Sequence, residues 1–274
     1  MRNPEDELLP AMNQLASKFV NLSRELGDVW ERLAVFVDTG YDFGQETRTL
    51  NTTLSQPSQD TPEPKRYMLW IDGVGNYLLC LGEQVTFGGP RSNHDSADVS
   101  LLANLSRRHA TLIRGQEGYL IEAHSPVEVA GRGVDHRAFL NDGYRIDLGA
   151  VGLEFRIPSV LSSTAVLNFL SDHRPAQNVD GIILMDETCL LGSGRENHVR
   201  CPDWNDSVLL YRQQGRFHVK CHSDMFIAGK LATDNVPLLP GDVATGNDFR
   251  FRIEALDTGI SSTATHLSGR PGDG

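Results

Sequence analysis

The sequence predicts a mainly β protein: two β-sandwiches in tandem, preceded by an N-terminal amphipathic, coiled-coil-like helix. Three observations predict it. Short strand-like runs separated by turns fill the chain from about residue 67 to 256, segments of that region echo one another at an offset near a hundred residues, and a heptad-spaced apolar stripe occupies the first forty residues. Two copies of such size fit two sandwiches and are too few and too long for a solenoid.

Residues 3–38 read as the helix. Leu8, Met12, Leu15, Phe19, Leu22, Leu26, Val29, Leu33 and Phe36 follow one another at alternating spacings of four and three, the a/d seam of a coiled coil. Asn3 suits the cap, Pro4 the first turn, and Glu5, Asp6 and Glu7 the positive dipole end. Lys18, Glu25 and Arg32 fall on a flanking g position, where charge sets partner choice. The stripe fits a homodimer through residues 8–36 or a partner helix, and it equally fits packing onto the chain's own β-region. Residues 39–66, rich in Thr, Ser, Gln and Pro, bury too little surface to offset their ordering entropy and are expected to be a flexible linker.

The repeat is visible in short runs. Ile71-Asp72-Gly73, Leu79-Cys80-Leu81-Gly82 and Phe87-Gly88-Gly89 are echoed by Val179-Asp180-Gly181 and Thr188-Cys189-Leu190-Leu191-Gly192. Phe139-Leu140-Asn141-Asp142-Gly143 leading to Phe155-Arg156-Ile157 is matched by Leu238-Leu239-Pro240-Gly241-Asp242 leading to Phe251-Arg252-Ile253. The expected division is a first domain over 67–158, a connection over 159–178, a second domain over 179–256 and a polar, disordered tail over 257–274.

A net charge of -11 argues against a nucleic-acid binder, which needs clustered Lys and Arg. No apolar run reaches bilayer length and the acidic start is unlike a signal peptide, so a cytoplasmic location is expected. Four cysteines are too few for a disulfide framework. His198, Cys201, Cys221 and His222 could be paired as a zinc site, but the spacing fits no standard finger, and buried or incidental cysteines are the preferred reading, with no metal or cofactor.

In the first copy, Asp98-Val99-Ser100-Leu101 precedes Leu105-Ser106-Arg107-Arg108-His109-Ala110, then Gly118-Tyr119-Leu120-Ile121-Glu122, the hairpin-like Val129-Ala130-Gly131, the hairpin signal Asn141-Asp142-Gly143 and Ile146-Asp147-Leu148-Gly149. This order resembles the forkhead-associated (FHA) family over nearly its whole length: a Gly turn, a D-I-x-L strand, S-R-x-H-A, a V-N-G-like hairpin, and a final strand bearing Phe. The resemblance implies tandem FHA-like sandwiches, the second degenerate, and a site that docks phosphothreonine segments. Ser106 would contact the phosphate, Arg107 would be a second donor, and His109 would hydrogen-bond the loop into shape. Charge-assisted bonds from Arg and a Ser hydroxyl are what a phosphate dianion needs.

The chain departs from the family at two places. The Gly-Arg before the second strand reads Gly88-Gly89, so Arg91, after Pro90, would have to reach the phosphate from a displaced position; and the Asn-Gly of the S-x-N-G loop is replaced, since Pro126 follows Ser125. The second copy runs Trp204-Asn205-Asp206-Ser207-Val208 where S-R-R-H-A should stand. Thr47, Thr49, Thr52, Thr53 and Thr61 precede the first domain, so the ligand could be the chain's own phosphorylated linker. No phosphate loop, nucleophile elbow, H-E-x-x-H or kinase signature is present. The expectation is therefore a non-enzymatic, phosphothreonine-dependent adaptor in Ser/Thr kinase signalling, with a phosphate-independent scaffold as the alternative.

Overall fold

The computed structural model describes residues 65–90, 97–232 and 236–256. The expected N-terminal helix, the linker up to residue 64, Arg91 and the tail lie outside the described residues. Every regular element among the described residues is a strand. The first copy supplies β1 (Arg66–Ile71), β2 (Gly75–Cys80), β3 (Gln84–Gly88), β4 (Val99–Ser100), β5 (Ala110–Gly115), β6 (Gly118–Ala123), β7 (Val127–Val129), β8 (Arg132–Gly133), β9 (Arg137–Leu140), β10 (Tyr144–Leu148) and β11 (Val151–Arg156). The second supplies β12 (Ala165–Phe169), β13 (Gly181–Leu184), β14 (Thr188–Gly192), β15 (Val199–Arg200), β16 (Val208–Gln213), β17 (Arg216–Cys221), β18 (Phe226–Ile227), β19 (Lys230–Leu231), β20 (Pro237–Leu238), β21 (Val243–Thr245) and β22 (Arg250–Ala255). The stretch 159–178, expected as a connection, thus contributes strand β12.

The copies share one sheet. Twelve strands run in the order β19-β18-β21-β22-β1-β2-β13-β12-β11-β10-β7-β8, and each copy adds its own five-stranded sheet, β4-β3-β5-β6-β9 and β15-β14-β16-β17-β20. Strands β1, β2, β12 and β13 send alternate side chains into two separate cores. Met68, Leu78, Cys80, Leu167, Ile182 and Leu184 join the first copy's core, whereas Tyr67, Leu69, Leu79, Val166 and Ile183 join the second's. Burial on both faces explains why Tyr67-Met68-Leu69-Trp70-Ile71 and Ile182-Ile183-Leu184 read as continuous apolar runs instead of alternating ones. Buried aliphatic side chains contribute roughly 1.5–3 kcal/mol each, so these strands stabilise both cores at once.

Two sequence matches are corrected by register. The bond from Leu101 N to Gly88 O (2.8 Å) has its counterpart in Cys201 N to Gly192 O (2.8 Å), so β14 corresponds to β3, and the echo of Leu79-Cys80-Leu81-Gly82 in Thr188–Gly192 is displaced by one strand. Likewise Leu69 faces Ile253 while Leu167 faces Phe155, so Phe155 corresponds to Ile253 and not to Phe251. Strands alternate with period two, and a slip of two residues keeps every side chain on its own face.

The turns also divide. Val129-Ala130-Gly131 makes the β7–β8 hairpin, with Ala130 and Gly131 at φ of 49° and 72° as a tight two-residue loop requires. Asn141-Asp142-Gly143 instead carries the chain between sheets, because β9 pairs with β6 and β10 with β7 and β11. Its bond from Tyr144 N to Asn141 O (3.1 Å) is local and does not decide which strands pair.

Cys80, Cys189 and Cys201 are buried and Cys221 partly so; burial pushes the thiols of Cys80 and Cys201 up to about 12 and that of Cys221 to about 11. Among the described residues no cluster of three or more potential metal ligands occurs. No helix there is long and apolar enough to cross a membrane.

His198 is buried and its Nδ1 accepts a bond from Leu190 N at 2.9 Å. Burial lowers its pKa from 6.5 to about 4, with the Thr164 backbone opposing. The unfolded chain therefore binds a proton that the folded chain refuses, so stability is full above pH 6.5 and falls as the pH drops toward 4, by up to about 3 kcal/mol. Denaturation midpoints across pH 4–7 are expected to show this slope, and His198→Asn to flatten it.

Candidate functional site

At one end of the first copy, three segments meet: the end of β3 with Gly88 and Gly89, the loop 101–109 entering β5, and the loop 124–126 leaving β6. His109 ties them. Its backbone N donates to Phe87 O (2.7 Å), and its carbonyl accepts from His124 N and Ser125 N (3.0 and 3.1 Å). Its ring is buried, with Nε2 3.0 Å from Pro126 O and Nδ1 3.4 Å from Ser106 N. A carbonyl only accepts and an amide N–H only donates, so the hydrogen sits on Nε2 and Nδ1 receives. The position expected to shape the loop therefore bonds both sides of it without being exposed.

Gly88 and Gly89 hold the same loop by lacking side chains. A Cβ on Gly88 would fall onto the carbonyl oxygen of Arg107, and one on Gly89 would meet Leu105 O; Gly89 N meanwhile donates to Ser106 O at 3.0 Å. Close backbone approach is the reason these positions are glycine.

Held this way, Ser106, Arg107 and Arg108 are exposed, and with His124 and Ser125 they line a shallow open depression of about 390 Å³. Ser125 Oγ donates to Ser106 Oγ at 2.6 Å, and His124 Nε2 lies 2.9 Å from Thr111 Oγ1. Among the described residues, no ion pair engages Arg107 or Arg108. The depression thus offers two guanidinium groups and two hydroxyls at a solvent-open rim, a donor set for an anion.

The structure brings Ser106 and Arg107 together over Gly88 and His109; Arg91 lies outside the described residues. Sequence reasoning did not assign Arg108, His124 or Ser125. The Arg107-Arg108 doublet was a signal for the first. Ser125 was noticed only for the Asn-Gly it lacks, and its contact with Ser106 spans 19 residues, which no local pattern reveals.

The second copy builds something else at this end. Phe87 pairs with Ala110 and Leu191 with Val208, so Trp204 stands where Ser106 does. Trp204 is buried against Phe249, ring centroids 5.2 Å apart, and Asn205 N and Nδ2 both bond Asp248. Asn205 and Asp206 replace the two arginines, so the donor set is gone.

No family model and no curated protein matches the chain. Solved structures similar to it include the second FHA domain of a Mycobacterium tuberculosis ABC transporter, 20% identical over 48% of this chain and 99% of that one, with a TM-score of 0.26. The FHA domain of a Chlamydia trachomatis protein is 26% identical over 32% of this chain and 92% of that one, at 0.25. M. tuberculosis EmbR, solved in complex with a low affinity phosphopeptide, is 24% identical over 34% of this chain and 24% of its own, at 0.26. At TM-scores this low the alignments transfer no residue roles to this chain.

Two substitutions test the loop's supports. Gly88→Ala is expected to destabilise by about 1–3 kcal/mol through the overlap with Arg107 O. His109→Ala leaves Ser106 N and Pro126 O without their partner and should cost about 1–3 kcal/mol, both read as shifts in urea midpoint.

Proposed function

We propose that the first copy is an FHA-type module that binds phosphothreonine segments of other proteins, and that the chain is a non-enzymatic adaptor in Ser/Thr kinase signalling. The observation that carries this reading is the convergence of Ser106, Arg107, Arg108 and Ser125 on one open depression. A phosphate dianion entering there replaces the Ser125–Ser106 bond with bonds to its own oxygens and meets both guanidinium groups. Hydroxyl and guanidinium donors to an ionised acceptor contribute roughly 1.5–3 kcal/mol each. Gly88 and His109 act behind the surface, fixing where Ser106 points, and Arg91 is proposed as a further donor from the segment after Pro90.

The same chemistry makes a phosphorylated threonine among Thr47, Thr49, Thr52, Thr53 and Thr61 a tethered ligand, presented at an effective concentration on the order of millimolar. Phosphorylated full-length protein would then bind outside phosphopeptides more weakly than the unphosphorylated form.

Titration of the full chain with phosphothreonine peptides and their unphosphorylated counterparts decides the main reading. Binding of the phosphorylated set alone is expected, with Ser106→Ala and Arg107→Ala each weakening it tenfold or more. Equal affinity for both sets would leave a phosphate-independent scaffold as the function.

A further inference from the structure

The second copy has lost the site's donors, yet its first strands sit in the sandwich that carries the site. β1, the first strand of copy one, pairs with β22, the last strand of copy two, and β12, the first strand of copy two, pairs with β11, the last strand of copy one. The two junctions are the same junction with the copies interchanged. Leu69 faces Ile253 and Leu167 faces Phe155, and one offset of 98 residues relates Leu69 to Leu167 and Phe155 to Ile253. Between the two hairpins, β2 and β13 run parallel from Tyr77↔Gly181 to Cys80↔Leu184, and the hairpin registers Leu69↔Tyr77 and Leu167↔Ile182 set counterparts one residue out of step, so that each faces the opposite core.

We propose that the two copies have reciprocally exchanged their first hairpins, and that the working role of the second copy is to lend β12–β13 to the site-bearing sandwich. Equal register means that β1 presents to β11 the same pairing edge that β12 does, so self-closure was available and is not what the chain adopts. The loaned hairpin also reaches the site's own outer sheet. Tyr119 Oη, in β6, donates to Ser163 O (2.7 Å) and lies 3.2 Å from Leu184 O; Arg114, in β5, donates to Met185 O (3.0 Å) and pairs with Asp186 (3.1 Å). The turn after β12 meets the recognition loop directly. Leu102 N donates to Arg174 O at 2.9 Å and Leu101 bridges Pro175, four to five residues before Ser106. These strand assignments hold whether or not the Ser106 loop receives a phosphate.

Paired cysteines in the full chain, with Cys221 replaced by Ser, distinguish exchange from self-closure. In the exchanged form Glu154 faces Asn168, their side chains bonded at 3.0 Å, whereas self-closure would put Trp70, the counterpart of Asn168, opposite Glu154. Glu154→Cys/Asn168→Cys is expected to oxidise to an intrachain cystine at monomer mass, and Trp70→Cys/Glu154→Cys is not. A cystine in the second variant, an interchain dimer from the first, or no cystine in either overturns the proposal. Hydrogen exchange adds a readout free of new cysteines. Leu210→Ala, buried in the second core, should lower protection in β5 and β6 as well as in β16 and β17; loss confined to the second copy's strands also counts against it.

Discussion

The crossed pairing of first and last strands is the constraint on which the rest of this molecule depends. It places β1, β2, β13 and β12 at the centre of a twelve-stranded sheet, where their buried apolar side chains are divided between the two cores. Strands buried on both sides cannot shift by one residue without exchanging the two sets of apolar side chains between cores, so register here is strongly specified. It also lets β10, β11 and β12 follow one another as antiparallel neighbours, the simplest route for the chain between copies.

The site depends on that centre through a short chain of contacts. The end of β3 and the residue after it set Gly88 and Gly89 under the loop, His109 spans from Phe87 to Pro126, and the segment after β12 backs residues 101 and 102. Ser106, Arg107 and Arg108 are exposed, but the backbone beneath them is pinned by bonds of ordinary length to three separate elements. A loop on a rigid scaffold holds its donors in place before any ligand arrives, which lowers the ordering cost of binding.

Much of this was legible in the sequence, and what was missed was missed for definable reasons. The strand runs, the repeat and the β7–β8 turn are local signals, and the S-R-R-H stretch fell where the loop is. The slipped match of Phe155 to Phe251 went unseen because a two-residue slip preserves alternation, and both copies carry an F-R-I run near the end of their last strands. Asn141-Asp142-Gly143 is a sound turn whose partner strands lie in different sheets, a tertiary fact. Ser125 could not be assigned from its neighbours, since its role is its distance from Ser106. Nothing local distinguishes β12 as a partner of β11 from β12 as a connection, because exchange and self-closure use the same edges.

Trp204 in place of Ser106 acquires a different meaning in this light. Its indole packs against Phe249 and Phe251 in the second core, so the position equivalent to an exposed serine serves cohesion. A half bound to its twin by shared strands fills the centre of both cores without repeating its twin's donor set.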